Sequence, residues 1–487
     1  MADSPGHPSI IQGGMGVAVS DWRLARAVSE TGQLGVVAGT ALDIVLSRRL
    51  QLGDIGGNLK RAMDAFPIPE IAQRVWQRFF VPGGKAPQVR FKSQPLPSIR
   101  SDNAVEELAV LANFVEVYLA KEGHKGRVGI NYLTKIQLPT LSSLFGALLA
   151  GVDYVLMGAG IPKTIPSVLD RLVAGEPVDL KIDVTGEQSN DEYRVRFDPV
   201  EFCRQRMPTL RRPKFLAIVS SSALATMLAR RSSGHVDGFV VEGSTAGGHN
   251  APPRGAMQLD DQGEPVYGER DLPDLAVFRS LERPFWLAGS YGSAERVVEA
   301  LQAGAAGVQV GTAFAFCRES GLRSDIKRDV LEMVRQDAAR VRTDPAVSPA
   351  GFPFKVLNLP GSMSEADCYK SRKPVCDLGF LRHAYSDSEG ALGWRCPAEN
   401  VESYLRKGGS QSDTVGRKCI CNALLANIGL EQVQAGGRPE LPLVTCGDDV
   451  AQITSFLPTP DAEGYSAQDV VAHLLPGVAA TGRGTSP

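Results

Sequence analysis

No apolar run in this chain approaches the ~20 residues that a bilayer-spanning helix needs. The opening Met1-Ala-Asp-Ser-Pro-Gly-His-Pro8 has neither the basic start nor the apolar stretch of a signal peptide. Cysteine is scarce, eight in 487 residues, which excludes a disulfide framework of the secreted kind. The net charge of −2 gives nucleic acid or an anionic membrane no basis for binding. The Gly-x-x-x-x-Gly-Lys-Ser/Thr phosphate loop, the Gly-x-Gly-x-x-Gly dinucleotide turn and His-Glu-x-x-His are all missing. What remains is the expectation of a cytoplasmic globular protein acting on a small molecule.

What is present is alternation. Short β-forming segments fall at Ile10–Gln12, Gly35–Val37, Val128–Tyr132, Asp153–Met157, Phe215–Val219, Gly238–Val241, Phe285–Ala288 and Gly307–Gly311. Helical patterns lie between them at 20–31, 139–150, 165–172, 221–231, 272–280 and 293–303, several opened by cap-forming Ser or Asp. A doubly wound open sheet shares this alternation. The count of eight and the position of the glycine loops select an α/β fold of the (β/α)₈ (TIM) barrel type.

Residues 38–127 are too long for a βα connection. They hold an amphipathic helix pattern, Ile68–Phe80, and a Val81-Pro-Gly-Gly-Lys85 turn, and read as an inserted helical subdomain that covers the barrel mouth. Residues 247–271, polar and rich in Pro and Gly, read as a lid. The expected organisation is a barrel start (1–37), the insertion (38–127), the rest of the barrel (128–320), a helical segment packed on it (321–360) and a C-terminal extension (361–487). Within the fourth segment a helix is expected over 325–342, and the small, polar tail 477–487 is expected to be loose.

Ligands of such barrels sit at the carboxyl ends of the strands. The glycine clusters fall there: Gly13-Gly14-Met15-Gly16, Gly247-Gly248-His249, Gly289-Ser290-Tyr-Gly292 and Gly311-Thr312. Ser293 then opens a helix whose first N–H groups suit an anion. His249, one of six histidines, reads as a proton-transfer group, against the plainer role of holding a loop carbonyl. Asn131 is a ring contact or a turn cap, and Glu242 a cofactor contact or half of a surface ion pair. Lys135 and Lys163 read as solvated. Five thiols, Cys368, Cys376, Cys396, Cys419 and Cys421, lie close in sequence, but no Cys-x-x-Cys pair occurs; they read as structural thiols and no metal is expected.

Ile10-Ile-Gln-Gly-Gly-Met-Gly16, the block from Glu242 to Ala246-Gly-Gly-His249, and Gly289 through Gln309-Val-Gly-Thr312 resemble the nitronate monooxygenase (2-nitropropane dioxygenase) family of FMN-dependent barrels. The resemblance runs over about residues 8 to 357. It implies FMN at the strand ends, held by Gln12, Gly13, Gly14 and Met15, by Asn131, Glu242, Gly247 and Gly248, by Gly289, Ser290 and Gly292, and by Gln309, Val310, Gly311 and Thr312. It also implies that His249 is the base that takes a proton from the carbon beside a nitro group, with O₂ as the final acceptor. Glu242 departs from the family's usual glutamine, and Asn250-Ala-Pro-Pro-Arg254 from its usual basic residue and glycine. The insertion, with Phe66-Pro-Ile-Pro and Phe80-Val-Pro-Gly-Gly-Lys85, is similar to stand-alone enoyl reductases of polyketide and polyunsaturated fatty acid synthases. Under that alternative NAD(P)H is the reductant, an acyl carrier protein presents the substrate, and a homodimer fits either reading.

Overall fold

The structure, a computed structural model, describes residues 6–100, 102–186, 193–204, 206–372, 376–387, 389–434 and 436–476. The tail 477–487 lies outside them. Eight parallel strands form one sheet: β1 (Ile10–Gln12), β2 (Gly35–Ala38), β3 (Val128–Leu133), β4 (Tyr154–Gly158), β5 (Lys214–Val219), β6 (Gly238–Glu242), β7 (Phe285–Ala288) and β8 (Gly307–Val310). Each pairs with its neighbour in sequence, and β1 pairs with β8. The seam between β1 and β2 closes through a parallel bridge, Ile11 to Leu34, with Gln12 N donating to Leu34 O at 2.9 Å. All eight expected strands are present, and the barrel is closed.

The strands read as apolar runs because both faces are buried. Ile11, Val36, Tyr154, Leu156, Leu216, Val240 and Trp286 fill the barrel interior. Their neighbours Ile10, Val37, Val155, Met157, Phe215, Phe239 and Leu287 face the helices. Fully burying each large side chain contributes about 1.5–3 kcal/mol. The Trp286 indole donates to Pro8 O at 2.7 Å, which ties the chain start to the interior.

A helix follows each strand: α1 (Trp22–Glu30), α2 (Asn103–Lys121), α3 (Thr140–Leu149), α4 (Ile165–Val173), α5 (Ser222–Arg231), α6 (Leu275–Ser280), α7 (Ala294–Gln302) and α8 (Ser324–Arg335). Asp21, Ser221 and Ser293 cap three of them by accepting first-turn N–H bonds. The long α2 packs between α1 and α3 and so belongs to the barrel ring. Helices Leu42–Gln51, Asn58–Asp64 and Pro69–Phe79 lie between β2 and α2. Arg49 fastens them to the ring, reaching Glu116 at 2.7 Å and the α1 cap Asp21 at 3.0 Å.

The helix expected over 325–342 stops at Arg335. Asp337 takes a left-handed φ of +52°, and Val341–Asp344 turns into a strand antiparallel to Phe354–Leu357. Helical periodicity continued in the sequence, but the ladder formed by those four residues prevailed. Between α4 and β5 a hairpin, Val178–Lys181 with Arg194–Phe197, had no counterpart in the sequence reading. No helix among the described residues is long and apolar enough to cross a membrane.

Candidate functional site

The carboxyl ends of the strands open on a chamber of about 210 Å³. Gly13 to Gly16 line it after β1, Asn131 within β3, Glu242 at the end of β6, then Gly247 to His249, Gly289 to Tyr291, and Gln309 to Thr312. Two glycines are required by geometry. A Cβ on Gly14 would stand 2.4 Å from Asn131 Cβ, and Gly289 has a φ of +99° with Thr245 Oγ1 2.9 Å from its Cβ position. Backbone therefore forms the wall where a flat ligand would lie.

Two buried acceptors in that wall, Asn131 Oδ1 and Gln309 Oε1, have no hydrogen-bond partner among the described residues. Each such orphan costs about 1–3 kcal/mol unless a donor arrives. They flank the loop after β1: Gly14 abuts Asn131 and Gly13 abuts Gln309. A planar heterocycle with ring N–H groups, such as a flavin, would satisfy these two acceptors.

A second chamber of about 260 Å³ adjoins the first. Ala159, Ile218, Glu242 and His249 line both, so the two titratable groups stand on the boundary. His249 Nε2 lies 2.6 Å from Ser348 Oγ, and its ring meets Phe354 edge-on at 4.8 Å. Among the described residues Nδ1 has no protein partner. Burial, aided by the charge of Lys135, pushes the imidazole pKa down to about 4, so the ring is neutral at working pH. Burial pushes Glu242 up to about 7. Its carboxyl forms no ion pair with the described residues. Lys135, expected to be solvated, is half-buried: Nζ donates to Ala350 O at 2.6 Å and sits on the Phe352 ring, and burial lowers its pKa to about 8.

The far end of the first chamber is closed by the C-terminal extension. Thr445 Oγ1 accepts from Gly248 N at 2.9 Å, Gly447 N donates to Thr312 Oγ1 at 3.0 Å, and Asp448 N donates to Thr245 O at 3.1 Å. Lys355, buried, holds the Asp448 carboxylate at 2.6 and 2.7 Å. Beside this strap the N–H groups of Ser290, Tyr291, Gly292 and Ser293 find no acceptor among the described residues, which suits an anion.

The residues singled out from the sequence thus converge, with two exceptions. Gln12 is fully buried and does not line the chamber: its amide donates to Ser20 Oγ at 2.9 Å and accepts from Val36 N at 3.0 Å, and so shapes the Gly13 loop from behind. Gly292 lies outside the lining, against Asp449. The expected cover is also elsewhere. Among the described residues of 38–127 only Ala38 and Thr40 reach the chamber, whereas Leu424, Asn427 and 444–447 with Asp449 do. Sequence reasoning missed Ser348, Thr445, Lys355 and Asp449, which lie about 100 to 200 residues from the loops they serve. The polar Thr445-Cys-Gly-Asp-Asp449 turn was the one local signal. Residues of the 247–271 segment, among them Asn250, Arg254, Tyr267 and Asp271, wall the second chamber. Cys376, Cys396, Cys419 and Cys421 border one small cavity, yet no group of described residues is spaced to hold a metal ion.

Residues 175–345 match the family model described as nitronate monooxygenase. A probable nitronate monooxygenase of Bacillus subtilis (strain 168) is 38% identical over 102 residues, 21% of this chain and 28% of that protein. The (3aS,4S,5R,7aS)-5-hydroxy-7a-methyl-1-oxo-octahydro-1H-indene-4-carboxyl-CoA dehydrogenase of Rhodococcus jostii (strain RHA1) is 27% identical over 143 residues, 29% of this chain and 35% of that one. The chain thus spans about a third of the length of the curated relatives it matches. FabK from Thermotoga maritima overlays 96% of this chain and 92% of its own at 15% identity, with a TM-score of 0.46. The family-model match bears out the resemblance drawn from the sequence.

Proposed function

We propose that the chain is an FMN-dependent oxidoreductase of the nitronate monooxygenase kind, which oxidises a nitroalkane or its nitronate with O₂. The observation that carries this reading is the neutral His249 on the boundary of two chambers, one walled by backbone and orphan acceptors and the other open to a small substrate. Asn131 and Gln309 would accept from the flavin ring, and the N–H groups of 290–293 would take the phosphate. Bound flavin supplies the redox chemistry. This chain's residues supply placement and proton transfer. With Nε2 engaged by Ser348, Nδ1 is the ring nitrogen available to take a proton from the carbon beside the nitro group. The depressed pKa keeps that lone pair free, and the enclosing Phe352 and Phe354 limit access of water.

A second reading, reduction of an enoyl thioester on an acyl carrier protein by NAD(P)H, is favoured by two observations. Redox chemistry on a CoA thioester is named for the Rhodococcus relative. Glu242, with a pKa near 7, is also a suitable proton donor. The purified chain, reconstituted with FMN, decides between them by oxygen uptake with a nitroalkane against NADPH oxidation with an enoyl thioester. A chain that stays colourless after reconstitution sinks both.

A further inference from the structure

Among the described residues, the flavin chamber is lined by two carboxyl side chains, Glu242 and Asp449, and by no lysine or arginine. Lys355 is committed to Asp448. Asp449 lies at the end where β7 and β8 deliver their loops. A Cβ on Gly292 would stand 3.1 Å from Asp449 Oδ2, and one on Gly447 would stand 2.9 Å from Oδ1. Burial raises the pKa of the Asp449 carboxyl, and the Thr312 hydroxyl beside it favours the charged form. A carboxylate thus stands beside the unpaired N–H groups at the anion end of the cradle, and among the described residues no lysine or arginine lines the chamber to offset it.

We propose that Asp449 sets the charge preference at this end of the chamber, as an internal competitor for the phosphate of the flavin. The inference rests on the flavin reading and adds a residue from the C-terminal extension to it. A phosphate monoester dianion placed against the N–H groups of 290–293 would stand a few ångströms from the carboxylate and would compete with it for the Thr312 hydroxyl. In a site shielded from bulk water, like charges at that separation shift binding by at least about a decade. A flavin without phosphate meets no such opposition. Backbone donors alone offset the phosphate, so removing the carboxylate charge acts selectively on the phosphorylated ligand.

The test is equilibrium binding of FMN and of riboflavin to the full-length apoprotein, read by quenching of flavin fluorescence, for wild type and Asp449→Asn. The expected result is FMN affinity raised about tenfold or more, with riboflavin affinity within about twofold. Asp449→Glu, which keeps the charge, should keep the wild-type ratio. Equal shifts for both ligands, no shift, or weaker FMN binding in Asp449→Asn overturns the proposal. If neither flavin binds either protein, the flavin reading fails and takes this inference with it. Hydrogen exchange on the wild-type chain gives an independent readout should the variant not fold: FMN, and not riboflavin, should speed exchange in residues 445–456. Equal protection by both overturns the proposal.

Discussion

His249 Nε2 stands 2.6 Å from Ser348 Oγ, and this contact joins the loop after the barrel's sixth strand to the segment that leads into the C-terminal extension. Ser348 is fully buried, and its hydroxyl oxygen also accepts from Ala350 N at 3.2 Å. The imidazole is thereby fixed in orientation, with one nitrogen spent and the other open. Ser348→Ala should lower kcat/KM about tenfold while leaving flavin affinity unchanged, because orientation and not cradle contact is lost. Steady-state kinetics with a flavin titration checks both halves.

The neutral form of His249 is the active one, and it prevails above its pKa. Activity should therefore hold as pH falls from 8 and drop only as pH approaches about 4, the value to which burial lowers this group. A kcat/KM profile with an acid limb near the ordinary imidazole value of about 6.5 would show that the ring is not enclosed as described.

Glu242 has the opposite signature. Its folded pKa, raised by burial to about 7, exceeds the unfolded carboxyl value, so the folded state binds the proton more tightly. Stability is then greatest below the unfolded pKa and falls as pH rises toward about 7. Glu242→Gln should remove that slope and gain about 3 kcal/mol at pH 8. Thermal melts of both proteins at pH 5 and pH 8 test this.

The orphan acceptors predict ligand affinity. Gln309→Ala removes one acceptor from the wall and should weaken flavin binding about fivefold to thirtyfold, the value of a hydrogen bond worth about 1–2 kcal/mol. Gly14→Ala should weaken it as well, because the new methyl group displaces Asn131. Unchanged dissociation constants in both would place the ring elsewhere.

Closure by the extension is testable through Lys355. Asp448→Ala leaves the buried ammonium without its partner and should cost about 2 kcal/mol, less than for a fully buried pair because Asp448 is partly exposed. Limited proteolysis should then cut within residues 440–456 faster than in wild type.

The barrel was legible because its signals are local. Each strand is a short apolar run buried on both faces, and each glycine cluster marks a strand end. His249 and Glu242 were legible for the same reason, being next to β6 in sequence. Gln12 misled because its neighbours Gly13 and Gly14 do line the chamber, while its own amide points back to Ser20 and Val36. The role of the extension was not legible. Thr445, Asp448 and Asp449 act through partners at 248, 245 and 312, and nothing local in the sequence encodes such pairings.

The most direct test of the account is anaerobic reduction of the FMN-loaded protein by a neutral nitroalkane and by its preformed nitronate, for wild type and His249→Ala. The account predicts that wild type is bleached by both, and that His249→Ala is bleached by the nitronate alone, since only the neutral compound needs a base. Bleaching of wild type by NADPH but by neither nitro compound would contradict it and favour enoyl reduction.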